Sequence, residues 1–309
     1  MAVNAKGEKI TFPQRCIGFP ADQQFTHITK WSVLKERISQ HLLMFNNHSD
    51  DGRNTNYGLE KIMAEDTIII DNVEFSADKK ILLDFFAETT EYTIPDGVTT
   101  ISEYAFESKE LLKKIVIPAS VTVIKEGAFD GCDLETVVLS EGLLEIQNSA
   151  FGACDCLKSV VIPDSVQSIG ERAFSFCTSL ESVTISKNVT KIGNGAFDHC
   201  SCLKSVVIPD GVTEIEKNVF ADCWSLETVA LNDNLTKIES GAFWNCKSLT
   251  SISIPAGVTE ISIEAFGGCP CEEQILKDYV HLFTIKGKPC AEEIKRDYPH
   301  LFTGKDEEK

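Results

Sequence analysis

The sequence predicts an α/β solenoid, a stack of similar coils in which each coil adds one strand to a parallel β-sheet. The first observation is a small residue followed by Phe, which occurs eight times with a spacing of 23 residues in every step except one of 22. The second is an Ile five residues before each of these phenylalanines. The third is a short segment, rich in Val, Ile, Ser and Thr, that opens with Leu in seven copies. Self-similarity at such a period is the signature of a repeat architecture.

The Leu-led segment alternates apolar and polar residues, as a half-buried strand does. One unit has roughly six large apolar side chains, whose burial yields about 10–15 kcal/mol. Ordering the 23 residues of that unit costs about twice as much or more. A single coil therefore cannot be stable alone, and we expect the coils to stack so that the repeated Ile, Phe and Leu form continuous internal columns.

The repeat itself resembles that of a known family. The copy at 154–177, CDCLKSVVIPDSVQSIGERAFSFC, follows the pattern LxxVxIPxxVxxIxxxAFxxC. This pattern resembles the BspA-like (bacterial surface protein A) leucine-rich repeats and covers about 175 of the 309 residues. The resemblance implies a leucine-rich repeat array that serves as a non-catalytic recognition surface. Such arrays belong to secreted or surface-attached proteins, often linked with adhesion to host proteins.

Four segments follow from the repeat boundaries. The solenoid of eight coils occupies 94–270, and a lead-in hairpin is predicted at 67–93. Residues 1–66 form a helical flank, with an amphipathic helix at 31–45 that we expect to cap the first coil. The tail, 271–309, repeats a short helical motif, and is interpreted as a second cap or as a docking element that includes His281 and His300.

The charge balance limits the partners. The 47 acidic and 29 basic residues give a net charge of −18, which argues against nucleic acid and gives no support to an anionic membrane surface. No apolar run approaches the ~18 residues of a membrane-spanning helix. The N-terminal stretch lacks the apolar core of a signal peptide, which indicates a cytoplasmic protein if Met1 is the native start. The two partner hypotheses are therefore a host extracellular or surface protein, as the resemblance implies, and a cytosolic protein held by an intracellular scaffold.

A strip of outward-pointing strand positions is the predicted binding surface, here called the strand strip. Its members are Lys114, Val116, Thr136, Val138, Ser159, Val161, Ser182, Thr184, Ser205, Val207, Thr228, Ala230, Ser251 and Ser253. On so acidic a chain, the near absence of carboxylates from this strip favours a flat face for a protein partner. The alternative is ordinary β-propensity, because Ser, Thr and Val suit a pleated surface.

Seven of the twelve cysteines form a column three residues after the repeat Phe. They are Cys132, Cys154, Cys177, Cys200, Cys223, Cys246 and Cys269. A free Cys behaves as a small buried apolar residue, so a thiol ladder is expected. The alternative is oxidation of neighbouring column cysteines to disulfides, because adjacent coils place their Cα atoms about 5 Å apart, within the disulfide range.

Two features alternate with a period of two coils. The residue after the opening Leu alternates between Lys and Glu along Lys113, Glu135, Lys158, Glu181, Lys204 and Glu227. Opposite charges therefore face each other between coils and disfavour a slip by one coil. The residue after the strand alternates between Pro and the polar Ser140, Ser186 and Asn232.

No catalytic or cofactor-binding motif is present, so neither an enzyme nor a cofactor is predicted. His41 and His48 with Asp50 and Asp51 lack the spacing of metal ligands. The segment 199–202, HCSC, contains the most metal-like cluster, but Cys200 belongs to the internal column. The sequence therefore predicts no metal site.

Overall fold

The computed structural model describes residues 67–285 and 287–302. The amphipathic helix predicted at 31–45, the candidate ligands at 41–51 and the last residues of the tail lie outside this part of the chain. In chain order the strands are β1 (Thr67–Ile70), β2 (Val73–Ser76), β3 (Ile81–Phe85), β4 (Glu91–Thr93), β5 (Thr100–Ile101), β6 (Lys114–Ile117), β7 (Val123–Ile124), β8 (Thr136–Leu139), β9 (Glu145–Ile146), β10 (Ser159–Val161), β11 (Ser168–Ile169), β12 (Ser182–Thr184), β13 (Lys191–Ile192), β14 (Ser205–Val207), β15 (Glu214–Ile215), β16 (Thr228–Ala230), β17 (Lys237–Ile238), β18 (Glu260–Ser262), β19 (Phe283–Ile285) and β20 (Lys288–Pro289). The α-helices of the described residues are α1 (Glu272–Asp278) and α2 (Ala291–Asp297), each followed by a short 3-10 helix, Val280–Leu282 and Pro299–Leu301.

The coils stack in register, and the solenoid predicted from the repeat is confirmed. A parallel ladder, here called the first ladder, is formed by β4 and by six strands of Leu-led segments (β6, β8, β10, β12, β14 and β16). Ser159 pairs with Ser182, and Val161 pairs with Thr184, one coil further on. The sheet hydrogen bonding is interrupted after β8 and after β12, so the first ladder consists of three segments.

A second strand in each coil was not predicted. Strands of two or three residues that end at or next to the repeat Ile form a second parallel ladder. It consists of two segments, β5, β7, β9, β11 and β13, and then β15, β17 and β18. Ile169, for example, pairs with Ile146 on one side and Ile192 on the other. Two residues are too few to show an alternating pattern in the sequence, so the Ile column was visible but its strand pairing was not.

The repeat phenylalanines form a continuous internal stack. Nine rings, from Phe85 to Phe266, follow one another with centroids 4.6 to 5.6 Å apart. Each is buried, and offset ring pairs at this distance are favourable beyond their area burial. Phe85 precedes the predicted array and extends the stack by one ring. Its spacing of 21 residues from Phe106 hides it from a search at 23.

The seven column cysteines are buried and free, as the thiol-ladder interpretation expects. Each thiol donates a hydrogen bond to the carbonyl oxygen of the repeat Phe in the preceding coil, with Sγ–O distances of 2.7 to 3.2 Å. Burial raises the pKa of Cys132 to about 12 and raises the pKa of Cys200 as well. These thiols therefore act as satisfied structural donors rather than as nucleophiles.

The alternation between Pro and polar residues at the position after each first-ladder strand has a structural counterpart. Asn232 is buried, and its Nδ2 donates to the carbonyl oxygens of Pro209 at 2.7 Å and Val212 at 2.9 Å in the preceding coil. Its Oδ1 accepts from the backbone N–H of Asn234 at 2.8 Å. Ser186 is also buried and caps the same turn by accepting from the N–H of Asn188. Coils with Ser or Asn at this position, here called polar coils, thus satisfy backbone groups that are left available by the coils with Pro there, here called proline coils.

The two ends of the described array differ from the coils between them. Before the first coil, β1, β2 and β3 form an antiparallel meander, and β3 then pairs in parallel with β5. After the last coil, β19 pairs in parallel with β18 and antiparallel with β20. Helices α1 and α2 bury Ile275, Leu276 and Ile294, which are continuous with the core of the coils.

Candidate protein-binding surface

The strand strip lies on the outer face of the first ladder. Along β10 and β14 the alternation is sharp, because Val160 and Val206 are buried whereas Val161 and Val207 are 63% and 68% exposed. Every strip residue from Thr136 to Ser253 is exposed, while Lys114 and Val116 are half-buried. The alternation along the strands therefore predicts correctly which residues are buried and which face outward.

The strand strip consists mainly of small side chains. In-register pairing places Ser159 beside Ser182 and Ser205 beside Thr228, so hydroxyl groups follow one another along the solenoid. The strip also holds one ion pair, with Lys114 Nζ 3.0 Å from the carboxylate of Glu91 in β4. A flat surface of hydroxyl and methyl groups offers contact area without a protruding anchor side chain.

The last two strip positions deviate from the pattern. Residues 251–255 have no strand assignment, so Ser251 and Ser253 do not continue the first ladder beyond β16. Both side chains are nevertheless exposed. The paired part of the strip therefore ends at Ala230.

One of the ion pairs expected from the Lys and Glu alternation forms beside the strip. Lys204 Nζ lies 2.7 Å from Glu181 Oε2, and this hydrogen bond lowers the pKa of Glu181 and raises that of Lys204. Lys113, however, pairs at 2.8 Å with Asp133 and not with Glu135. Asp133 lies in the segment that is one residue short, where the copies do not superpose residue for residue.

The structure separates the metal-like cluster found in the sequence. Cys200 points inward to the carbonyl of Phe174, whereas Cys202 is exposed. His199 instead lies between two carboxylates, with Nδ1 2.8 Å from Asp198 Oδ1 and Nε2 3.6 Å from Asp222 Oδ2. Within the described residues, these three side chains are the group whose donor atoms lie close enough to share a cation.

Exposed aromatic side chains lie elsewhere on the coils, in the turn after the repeat Phe. Phe176 and Trp224 are both 48% exposed, and neither was predicted as a functional residue. A signal was present in the sequence, because both rings interrupt positions that hold small or polar residues in other copies.

A shallow depression of about 360 Å³ lies over the second ladder. Its lining is polar and includes Glu126, Glu145, Gln147, Glu171 and Lys191. Small-molecule pockets are mostly apolar and enclosed, so this depression differs from them. No helix in the described part of the chain is long and apolar enough to span a membrane.

Stacked 23-residue coils, parallel ladders and an internal Leu, Ile and Phe core together define a leucine-rich repeat protein. The model of the BspA type leucine rich repeat region matches residues 79–201 and 168–283, with six copies. The chain belongs to this family. Members are typically non-enzymatic binding modules, and membership indicates a protein-interaction module.

Solved structures agree with this assignment. A leucine-rich repeat protein of T. pallidum is 32% identical with a TM-score of 0.52, and the match covers 55% of this chain and 86% of that one. A leucine-rich repeat protein of Eubacterium ventriosum is 31% identical with a TM-score of 0.50, covering 67% and 50% of the two chains. A comparison with curated proteins returns no match.

Proposed function

We propose that the chain is a non-enzymatic recognition module that binds a protein partner through the strand strip and acts as a bacterial surface or secreted adhesion protein. The proposal depends chiefly on one observation, the column of exposed side chains that includes Val161 and Val207 on a rigid parallel face. The free energy falls when a partner covers apolar groups that the backbone holds exposed to water.

The shape of the face indicates how such a partner would bind. Because the strip is flat and its side chains are short, a partner contacts it by shape complementarity over many coils rather than by inserting one anchor. Short side chains lose little conformational entropy on binding. Membership in the BspA-type family supports a host protein as the partner, since its arrays are linked with adhesion.

The test is a quadruple variant that adds four carboxylates to the strip. Its substitutions are Ser159→Glu, Ser182→Glu, Ser205→Glu and Thr228→Glu. The matched control adds four carboxylates to exposed positions of the turn before the second ladder, namely Gln167→Glu, Thr190→Glu, Thr213→Glu and Thr236→Glu. Both variants are first checked for unchanged circular dichroism and cooperative unfolding.

Binding is then measured by biolayer interferometry against a panel of purified host extracellular-matrix proteins. We expect at least one panel member to bind the wild-type chain, with affinity falling at least about 10-fold in the strip variant, because buried unpaired carboxylates are strongly disfavoured. The control is expected to stay within about twofold. Equal losses in the two variants, or full binding by the strip variant, would place the site on another face. Failure of every panel member to bind would contradict the adhesion role.

A further inference from the structure

A second surface lies on the turn after the repeat Phe, in three consecutive coils, and is independent of the strand strip. It consists of Phe176, Asp198, His199, Asp222 and Trp224, here called the turn ridge. Phe176 and Trp224 expose aromatic surface at either end, and the two carboxylates lie between them. Exposed aromatic rings next to partly sheltered charges are the composition of interaction hot spots.

Direct contacts join the members of the ridge. The His199 ring stacks on Phe176 with centroids 4.3 Å apart and an interplanar angle of 18°. Its Nδ1 is 2.8 Å from Asp198, and its Nε2 is 3.6 Å from Asp222. Trp224 Nε1 donates to Asp222 Oδ1 at 3.2 Å, and Asn245 Nδ2 donates to the same oxygen. The carboxylate of Asp222 is thereby oriented, with Oδ2 directed towards His199.

The backbone holds these side chains in place. Phe176, His199 and Asp222 all have positive φ, from 55° to 60°. Their N–H groups donate at 2.8 Å to carbonyl oxygens of the next coil, those of Asp198, Ala221 and Trp244 respectively. A ridge fixed from coil to coil pays little ordering entropy when it binds.

The chemistry of the ridge suits an organic cation. The side chains of Asp198 and Asp222 are 19% and 21% exposed, so their charges are only partly screened by water. Aromatic faces attract cations, and the ridge already shows this, since Lys247 Nζ lies 5.0 Å from the centroid of the Trp224 ring. A planar guanidinium both stacks on aromatic rings and binds carboxylates bidentately, which an ammonium does not.

We propose that the turn ridge docks arginine side chains of a basic segment in a partner protein. The guanidinium would stack on the exposed ring of Trp224, displacing Lys247, and bind the carboxylate of Asp222, while Asp198 adds charge. The net charge of −18 supports the same occupant, because it steers cationic segments towards the chain.

The probe is an N-acetylated, C-amidated hexa-arginine peptide, with hexa-lysine as its comparison. Each is titrated by calorimetry into the full chain in 150 mM salt, which screens diffuse attraction. The ridge variants are Asp222→Asn and Trp224→Ala. The matched control is Asp210→Asn, which removes an exposed carboxylate outside the ridge. Circular dichroism and thermal unfolding check that all variants fold.

We expect hexa-arginine to bind more tightly than hexa-lysine, and both ridge variants to weaken hexa-arginine binding at least about 10-fold. The control is expected to change affinity less than about twofold. The NMR signal of the Trp224 indole N–H in the wild-type chain should shift on titration, which gives a readout that needs no variant. Equal losses in Asp222→Asn and Asp210→Asn, no preference for arginine, or an unperturbed indole signal would overturn the proposal.

Discussion

Two positions in each coil, only two residues apart, follow opposite rules. The repeat Phe is the same residue in all eight copies and is always buried. The position two residues later has the same backbone in every copy, with φ from 50° to 77°, but its side chains vary widely. In order they are Ser108, Gly131, Ala153, Phe176, His199, Asp222, Asn245 and Gly268.

The difference shows what each side of a coil constrains. Inside, a ring must match the rings above and below, so close packing allows little other than Phe. Outside, only the left-handed backbone is required, and the side chain is free to vary from coil to coil. A constant frame with variable side chains is what a recognition surface requires, and the turn ridge is one product of it.

The largest expected effect is the difference in stability between alanine variants of these two positions in one coil. Phe174→Ala leaves a cavity in the stack and should lower the free energy of unfolding by about 3–5 kcal/mol. Phe176→Ala removes a half-exposed ring and should cost less than about 1 kcal/mol. Urea denaturation of both variants measures the contrast. Similar losses would mean that the outer ring is part of the core.

A second pair of residues, Cys200 and Cys202, contrasts the two sides by thiol reactivity. At pH 8, Cys202 should react with 5,5′-dithiobis(2-nitrobenzoate) at least about 100-fold faster than Cys200, because burial raises the pKa of Cys200 and blocks access. The number of fast-reacting thiols should therefore fall by one in Cys202→Ser and stay unchanged in Cys200→Ala. A loss of a fast thiol in Cys200→Ala would show that the column is accessible.

A smaller effect concerns the left-handed backbone itself. Ala153 is exposed with φ of 50°, a conformation that costs an L-residue about 1–2 kcal/mol. Ala153→Gly should therefore raise the free energy of unfolding by about 0.5–1 kcal/mol. Buried Ala150 does not have positive φ, so Ala150→Gly should destabilise the chain. Calorimetry on both variants checks the signs, and destabilisation by Ala153→Gly would show that its methyl group makes a necessary contact.

The smallest expected effect lies beside the strand strip. Lys204 lowers the pKa of Glu181, so this pair stabilises the fold above the unfolded-state pKa of the carboxyl, and the contribution is lost as the pH falls through the folded-state pKa. Lys204→Met should raise the pKa of Glu181, as followed by NMR titration, and the stability difference from wild type should vanish in acid. Lys158→Met should raise the pKa of Glu181 less, because Lys158 attracts this carboxylate more weakly than Lys204 does. An unchanged pKa of Glu181 in Lys204→Met would contradict the pairing.

The sequence predicted the features that recur. Phe174 and Ile169 could be placed inside because their columns hold one residue type, and Val161 could be placed outside because strands alternate. The ends were harder, since Phe85 lies 21 residues before Phe106 and Phe283 occupies a position of the second ladder that holds Ile in the coils. The strands of the second ladder are too short to show an alternating pattern in the sequence, so their pairing could not be predicted.

The turn ridge could not be predicted by the same means. A search for repeats discards positions that vary, and His199 differs from its equivalents in both neighbouring coils. Only the stacking of the coils brings its ring close to Asp222, which lies one full repeat further along the chain. The strand strip was predictable as an exposed face, because alternation along a strand determines which side chains are buried. The chemistry of a partner follows from no such pattern.

The alternation of proline coils with polar coils limits how the gene for this protein can lengthen. Asn232 and Ser186 bond to groups of the proline coil before them, and Lys204 of a proline coil pairs with Glu181 of the polar coil before it, across the other kind of junction. From Pro118 onwards, where the two kinds of coil alternate, insertion of a single coil would set two coils of the same kind against each other, whereas insertion of two preserves every junction. Length variants that arise by recombination within the array should therefore differ from this chain by multiples of 46 residues, twice the repeat.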